Sequence, residues 1–70
     1  MKRFGEKLRT LRQQRGLSQS QLGDMLEVTR THVSRMERGE KIPNVPMLLK
    51  ISDVFGVTAD QLIRDDLELD

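Results

Sequence analysis

Apolar residues recur at steps of three and four along most of the chain, the spacing that places side chains on one face of an α-helix. Phe4, Leu8 and Leu11 follow this spacing in the first segment, and Gly16 then provides a typical helix end. The pattern predicts a first helix over residues 2–15. No segment alternates apolar and polar residues with a period of two, so the sequence predicts no β-strand.

Two short helices follow, separated by a turn of three or four residues. The run from Ser18 to Gln21 has the spacing of a capping box, and it opens a second helix over residues 19–26. Thr29 is another good cap, and it opens a third helix over residues 30–38. Two short helices joined in this way form a helix-turn-helix unit. The inner face of the second helix is predicted to consist of Leu22, Met25 and Leu26.

The last third of the chain predicts two more helices. Pro43 disfavours helix at the residue before it, and Asn44 can cap the helix that follows. The inner face of this fourth helix is predicted to consist of Val45, Leu48, Ile51 and Phe55. Thr58 and Gln61 have the spacing of a second capping box, which opens a short fifth helix.

Composition agrees with this all-α architecture. The 70-residue chain has no cysteine and one histidine, so neither disulfides nor a structural metal can stabilise it, and helix packing must do so. We expect a compact five-helix domain over residues 1–63 and an acidic tail at 64–70 that either continues the last helix or is disordered. No apolar run reaches the roughly 20 residues that cross a bilayer, and the N-terminus does not predict a signal peptide. A cytoplasmic protein without membrane contact is therefore expected.

Charge is distributed unevenly along the chain, although the net value is only +1. Residues 1–41 hold ten lysines and arginines against five acids, a net charge of +5. Residues 42–70 hold two basic residues against six acids, a net charge of −4. The N-terminal part is therefore the candidate for binding a polyanion.

The third predicted helix separates an apolar face from a basic one. At about 100° per residue, Val33 and Met36 lie on one side. The other side carries three arginines and two hydroxyl residues, namely Arg30, Thr31, Ser34, Arg35 and Arg38. Such a face fits the major groove of DNA, where arginine pairs with guanine and the threonine methyl meets the thymine methyl. The competing interpretation is a face that is simply solvated.

Candidate phosphate contacts flank this face and favour the DNA interpretation. Gln19 begins the second helix, where its amide and the backbone N–H groups suit a phosphate. Arg38 and Lys41 follow at the other end of the third helix. The hydroxyls of Thr29 and Ser34 are further candidates for phosphate contact.

Four pieces of the sequence occur in an order and spacing typical of one family. They are L-R-x-x-R-G-L-S-Q at 11–19, S-R-M-E-R-G at 34–39, the proline at 43, and F-G-V-T-A-D-Q-L at 55–62. Through these pieces residues 4–63 resemble the Cro and phage-repressor, or Xre, helix-turn-helix family. The resemblance implies a lambda-repressor-like fold and sequence-specific binding to double-stranded DNA.

Carried over to this chain, the resemblance implies roles for individual residues. It places the first phosphate contact at Gln19 and the base-reading positions at Arg30, Thr31 and Arg35, with His32 as an additional candidate. It also implies an ion pair between Arg12 on the first helix and Glu37 on the third, from which Arg12 can also face the DNA backbone. Such a pair would matter more for orienting the arginine than for stability.

Two positions depart from the family's pattern. The turn has Glu27 where the family usually has glycine, and the second helix has Gly23 where the family usually has alanine. A left-handed conformation at Glu27 would cost about 1 kcal/mol, and Gly23 would cost about as much relative to alanine. We expect a slightly looser motif and an unchanged fold.

The remaining polar signals are weaker. His32 is the only group that titrates near neutrality, and it is either solvated or in contact with a base or phosphate. The tail acids are Asp65, Asp66, Glu68 and Asp70. Such acids are usually solvated, with cation binding or masking of the basic face as alternatives. We predict no metal site and no cofactor, and the lack of a nucleophile and base pair argues against an enzyme.

The C-terminal part holds more apolar residues than one short helix needs, namely Leu62, Ile63, Leu67 and Leu69. They are predicted either to form a homodimer contact, as the resemblance implies, or to fold back on the first helix. A dimer would read two half-sites about one DNA turn apart, roughly 34 Å.

Two functions therefore stay open. The first is a transcriptional regulator, most simply a repressor, that binds an inverted-repeat operator as a dimer with the third helix in the major groove. The alternative is an antitoxin-like or adaptor module that contacts a partner protein through the same scaffold. In that case its basic face would attract DNA only non-specifically.

Overall fold

Five α-helices and no strand make up residues 1–69, the part of the chain that the computed structural model describes. In chain order they are α1 (Phe4–Gln14), α2 (Gln19–Leu26), α3 (Arg30–Glu37), α4 (Val45–Phe55) and α5 (Ala59–Ile63). The predicted all-α class and helix order are confirmed, and no predicted bound is wrong by more than two residues. None of these helices is long and apolar enough to cross a membrane.

Four helices begin at the side-chain caps that the sequence predicted. Ser18 accepts a hydrogen bond from the Gln21 backbone at 3.0 Å, and the Gln21 side chain accepts one from the Ser18 backbone at 2.7 Å. Thr58 and Gln61 form the same reciprocal box, while Thr29 and Asn44 act as simple caps. Each capping side chain accepts a hydrogen bond from a backbone N–H group that has no partner within the helix. Each such cap contributes about 1 kcal/mol to the stability of the fold.

The start of α1 has no side-chain cap. The Asp65 carboxylate, from the other end of the chain, binds the two residues that precede the helix, accepting hydrogen bonds from the backbone N–H groups of Arg3 at 2.9 Å and Lys2 at 3.0 Å. These bonds hold the pKa of Asp65 below its usual range. A residue of the predicted acidic tail therefore anchors the first helix.

Residues 64–69 fold back across α1 instead of extending α5 or detaching. This is the course that the sequence offered for Leu67 and Leu69 as the alternative to a homodimer contact. The buried ammonium of Lys7 donates to three carbonyl oxygens, those of Gln61 at 2.6 Å, Arg64 at 2.7 Å and Leu67 at 2.6 Å. The Arg3 guanidinium pairs with the Glu68 carboxylate at 2.9 Å and lowers the pKa of Glu68. Asp70 lies outside the described residues.

The buried apolar core draws on all five helices. Its members are Phe4, Leu8, Leu11, Leu22, Leu26, Val33, Met36, Ile51, Phe55 and Leu62. The prediction is wrong for two residues of the core, since Met25 and Val45 are exposed. Met25 lies at the edge of the stripe formed by Leu22 and Leu26, and Val45 begins α4 beyond the margin of the core, where Met47 and Leu48 pack instead.

The turn between α2 and α3 keeps a left-handed conformation at Glu27, with φ 62°, although the family usually has glycine there. The backbone N–H of Val28 then donates to the Gly23 carbonyl at 2.8 Å and closes the helix. A Cβ at Gly23 would lie 2.7 Å from the Val28 carbonyl oxygen, so glycine is what allows this close approach. The expectation that Gly23 merely loosens the motif is therefore wrong.

Glu27→Gly is expected to raise the free energy of unfolding by about 1 kcal/mol, because glycine adopts a left-handed conformation without the Cβ penalty. The ion pair that this change removes, with Lys50 at 3.6 Å, lies on the exposed surface and contributes little. Urea denaturation followed by circular dichroism measures the change. Glu27→Gln is the matched control, since it removes the charge and keeps the strain. Equal stability of the two variants would contradict a strained turn.

Candidate nucleic-acid interface

The packing of α3 leaves one of its faces free. Val33 and Met36 are fully buried against α1 and α2, so the opposite side of the helix points outward. Arg30, Thr31 and Arg35 are exposed on that side. None of the ion pairs among residues 1–69 involves Arg30 or Arg35. Both guanidinium groups are therefore available to an external acceptor.

A shallow depression beside the N-terminal half of α3 collects several of the predicted residues, namely Thr29, Thr31, His32, Arg35 and Lys41. The Thr29 hydroxyl accepts a hydrogen bond from the His32 backbone at 3.1 Å and keeps its own proton to donate. The sequence placed Lys41 beside Arg38 at the far end of α3. Instead Gly39, with φ 77°, turns the chain back and brings Lys41 next to His32.

A second depression lies where α1, α2 and α3 meet, lined by Arg9, Arg12, Gln19, Ser34, Glu37 and Arg38. Four of the predicted phosphate residues come together here, one or more from each helix. Sequence reasoning missed Arg9. Its spacing of three residues from Arg12 on α1 was the signal that could have found it.

The Arg12 and Glu37 side chains form a closely spaced ion pair at the floor of this second depression. The Arg12 Nε donates to Glu37 at 2.6 Å, and one terminal nitrogen donates to the other carboxylate oxygen at 3.1 Å. The other terminal nitrogen donates to the Leu17 carbonyl at 2.9 Å. Hydrogen bonding to Glu37 raises the pKa of Arg12. Two of the five guanidinium N–H groups stay free of these bonds and can meet a phosphate.

The same carboxylate also orients α2. The Gln19 amide donates to Glu37 at 3.2 Å, which holds the side chain at the N-terminus of α2 beside Arg12. Only 4% of the Glu37 side chain is exposed, so its charge is compensated by these two partners and not by water. Glu37 therefore sets the positions of donors on two other helices.

The structure changes the prediction for the dimer contact. Leu62 is fully buried because α5 packs it against α1 and α4, so it cannot face a partner. Ile63, Leu67 and Leu69 are half-buried, and Ile63 and Leu69 pack against the core of their own chain. The most exposed large apolar residues lie instead on α4 and just before it, at Ile42, Val45 and Leu49.

Among the described residues there is no group of three or more side chains that could hold a metal ion. A family model described as helix-turn-helix matches residues 8–62, more than half of the chain. This chain belongs to the Cro and phage-repressor, or Xre, helix-turn-helix family. The resemblance stated from the sequence is thereby confirmed.

Relatives of known sequence share the domain and extend beyond it. The HTH-type transcriptional activator BcrR of Enterococcus faecalis is 45% identical over 63 residues, which are 90% of this chain and 31% of BcrR. The SPbeta prophage-derived transcriptional regulator YonR of Bacillus subtilis is 36% identical over 61 residues, which are 87% of this chain and 56% of YonR. The chain thus spans about a third of one of these helix-turn-helix relatives and about half of the other.

A solved structure matches over nearly the whole domain. The P22 c2 repressor in complex with the synthetic operator 9T superimposes with a TM-score of 0.84 at 33% identity. The match covers 90% of this chain and 96% of that one. The predicted five-helix, repressor-like fold is therefore confirmed.

Proposed function

We propose that this helix-turn-helix chain is a transcriptional regulator that binds double-stranded DNA at specific sequences. The observation that carries the proposal is the free face of α3, where Arg30 and Arg35 stand exposed and unpaired among the described residues. An α-helix fits the major groove, and arginine can bond the two acceptors of guanine together. The similar P22 c2 repressor is itself bound to an operator, which supports the same partner for this family member.

The residues of the interface divide into those that contact bases and those that contact phosphates. Arg30, Thr31 and Arg35 read base edges, and His32 is an additional contact at the margin of the same face. The two depressions bind phosphates of the DNA backbone and so fix the register of α3. The residues that make these phosphate contacts are Arg12, Gln19, Thr29, Ser34, Arg38 and Lys41.

We further propose that two copies bind an inverted repeat as a homodimer in the cytoplasm. A two-fold protein reads two half-sites about one DNA turn apart, roughly 34 Å. The half-buried residues Ile63, Leu67 and Leu69 stay candidates for the contact between copies. Repression by occluding a promoter is the simplest mechanism, although the relative BcrR, which is named as an activator, carries the same domain.

Selection of binding sites from a random double-stranded DNA pool, at near-physiological salt and followed by sequencing, tests the proposal. We expect enrichment of an inverted repeat with half-sites about ten base pairs apart. A single half-site would keep the DNA-binding role and reject the dimer. No enrichment would reject sequence-specific binding and favour the protein-interaction alternative, in which DNA is attracted only by charge.

Arg35→Ala is expected to weaken binding to the selected site by about 1–3 kcal/mol and to relax the base preference at one position of each half-site. Gln19→Ala should weaken binding to all sequences alike, because a phosphate contact carries no base information. Fluorescence anisotropy with the selected site and single-base variants measures both effects. Arg64→Ala, an exposed arginine that pairs with Asp66, is the control. A uniform loss in Arg35→Ala would contradict base reading.

A further inference from the structure

The cations of residues 1–69 fall into two groups according to what holds them. Seven side chains have an acidic or carbonyl partner, namely Arg3, Lys7, Arg12, Arg15, Arg38, Lys50 and Arg64. The other side chains form no ion pair within the described residues, namely Lys2, Arg9, Arg30, Arg35 and Lys41. Three of these five belong to the α3 face and its depression, whereas Lys2 and Arg9 lie at α1.

Arg9 joins the proposed DNA surface to a further depression along α1. It lines the depression with Gln19 and Ser34, and it also lines a neighbouring one with Lys2. Glu37 and Arg38 line both depressions, so the two adjoin at the crossing of α1 and α3. The basic surface therefore continues past the helix-turn-helix unit and along the first helix.

The basic surface is continuous because α1 and α3 cross closely. Gly5 lies against the end of α3, and a Cβ at this position would lie 2.6 Å from the Met36 carbonyl oxygen. The absence of a side chain lets α1 approach α3 closely, which places Arg9 beside Arg38.

Basic residues outnumber the free acids near this surface. Glu37 is held by Arg12 and Gln19, whereas Glu6, whose side chain is 70% exposed, makes only a surface pair with Arg3 at 3.8 Å. Lys2, Arg9 and Arg38 therefore give the depression along α1 a net positive charge. A surface of this kind attracts a row of anions, and DNA presents such a row along each strand.

The size of the domain agrees with a second backbone contact. Its longest dimension is 28 Å, and phosphates follow one another about every 3.4 Å of helix axis along one DNA strand. The longest dimension of the domain therefore equals the rise of roughly eight base pairs along DNA.

We infer that Arg9, together with Lys2, binds phosphates of the DNA backbone outside the base pairs that α3 reads. The inference rests on the proposed function, because it adds a contact to the same DNA complex. It assigns to α1 a role in affinity, in salt dependence and in the length of DNA covered, and none in base preference. Both side chains are exposed and form no side-chain hydrogen bond within the described residues, so replacing them leaves the fold intact.

The test measures the affinity of Arg9→Gln and Lys2→Gln for the selected site as a function of salt. Two duplexes are used, one trimmed to the selected bases and one with flanking base pairs on both sides. Arg64→Gln is the matched control, since it removes the same charge from a residue that lines neither depression. Thermal denaturation of each variant verifies that stability is unchanged.

On the flanked duplex, Arg9→Gln is expected to reduce the slope of log affinity against log salt by about 0.9 for each phosphate that the variant no longer neutralises. Base preference should be that of the unmodified chain. Lys2 lines the depression along α1 and not the second depression, so Lys2→Gln should lower the slope on the flanked duplex and differ little from the unmodified chain on the trimmed one. Arg9 lines both depressions, so Arg9→Gln should keep part of its effect on the trimmed duplex. Arg64→Gln should keep the original slope.

Several outcomes would overturn the inference. An Arg9→Gln slope equal to that of Arg64→Gln, with strong binding by the unmodified chain, would reject the α1 contact and leave the proposed function standing. A changed base preference in Arg9→Gln would mean that Arg9 touches bases and not the flanking backbone. Absence of any sequence-specific binding by the unmodified chain would reject the proposed function and the α1 contact together.

Discussion

Lys7→Met is expected to lower the free energy of unfolding by about 2–4 kcal/mol. The Lys7 ammonium is 2% exposed and donates to three carbonyl oxygens, those of Gln61, Arg64 and Leu67. Methionine has a similar length, so it fills the space and isolates the loss of the hydrogen bonds. A buried carbonyl left without a donor costs about 1–3 kcal/mol. The loss of stability is partly offset for two reasons. Lys7→Met removes the cost of burying the ammonium, and the Arg64 carbonyl still accepts a hydrogen bond from the Leu67 backbone N–H.

Urea denaturation of the Lys7 variant measures this effect, and Lys50→Met is the matched control. Lys50 is an exposed lysine whose pair with Glu27 spans 3.6 Å, so its replacement should cost less than about 1 kcal/mol. Lys7→Met should also speed amide hydrogen exchange in residues 64–69, because the tail loses its anchor on α1. Equal stability of the two variants would contradict an anchoring role for the Lys7 ammonium.

Glu37→Ala is expected to cost about 3 kcal/mol of stability and to weaken binding to every DNA sequence alike. Removing the carboxylate leaves the Arg12 guanidinium, only 13% exposed, without its charged partner. Breaking a buried pair in this way usually costs about 3–5 kcal/mol, and the partial exposure of Arg12 places this pair at the lower end. Binding should weaken because Arg12 and Gln19 lose the group that orients them.

A double-mutant cycle with Arg12→Met, Glu37→Leu and the combined variant separates the pair from its surroundings. The combined variant should be more stable than Glu37→Leu, since no unpaired charge is left inside. It should nevertheless bind DNA weakly, because the Arg12 donor is gone and Gln19 has lost the carboxylate that orients it. Strict additivity of the two single changes would contradict a coupled pair.

The helix-turn-helix unit and most helix bounds could be predicted because their signals are local. Ser18, Thr29, Asn44 and Thr58 each pair with the N–H group three residues away, so the spacing of residue types is sufficient. The exposed face of α3 is equally local. Its arginines and its core residues are separated by the 3.6-residue period alone.

Predictions failed where the answer depends on which surface another element covers. Met25 and Val45 have the spacing of core residues, but no helix packs over them. Leu62 has the composition of an interface residue, but α1 and α4 enclose it. The helical period shows which residues share one face of a helix, but it does not show which other helix covers that face. The burial of residues at the edge of a face therefore cannot be predicted from one segment.

Only part of the candidate interface could be predicted from the sequence. The arginine face of α3, proposed to read bases, could be predicted from a single helix, whereas the depressions proposed to bind phosphates required three helices and the turn at Gly39. Arg9 was missed because its importance comes from the close crossing of α1 and α3 at Gly5. The place of Lys41 beside His32 likewise depends on the course of the chain after α3.

Residue order alone was sufficient for the five helices, most of their caps and the arginine face of α3, because hydrogen bonds and periodicity within one segment specify them. Packing between distant segments was needed to establish that Asp65 binds the residues before α1, that Lys7 holds the tail, and that the basic surface continues to Arg9. Those contacts join residues that are far apart in the chain, or on different helices, and they form only after the core has fixed the distance between them.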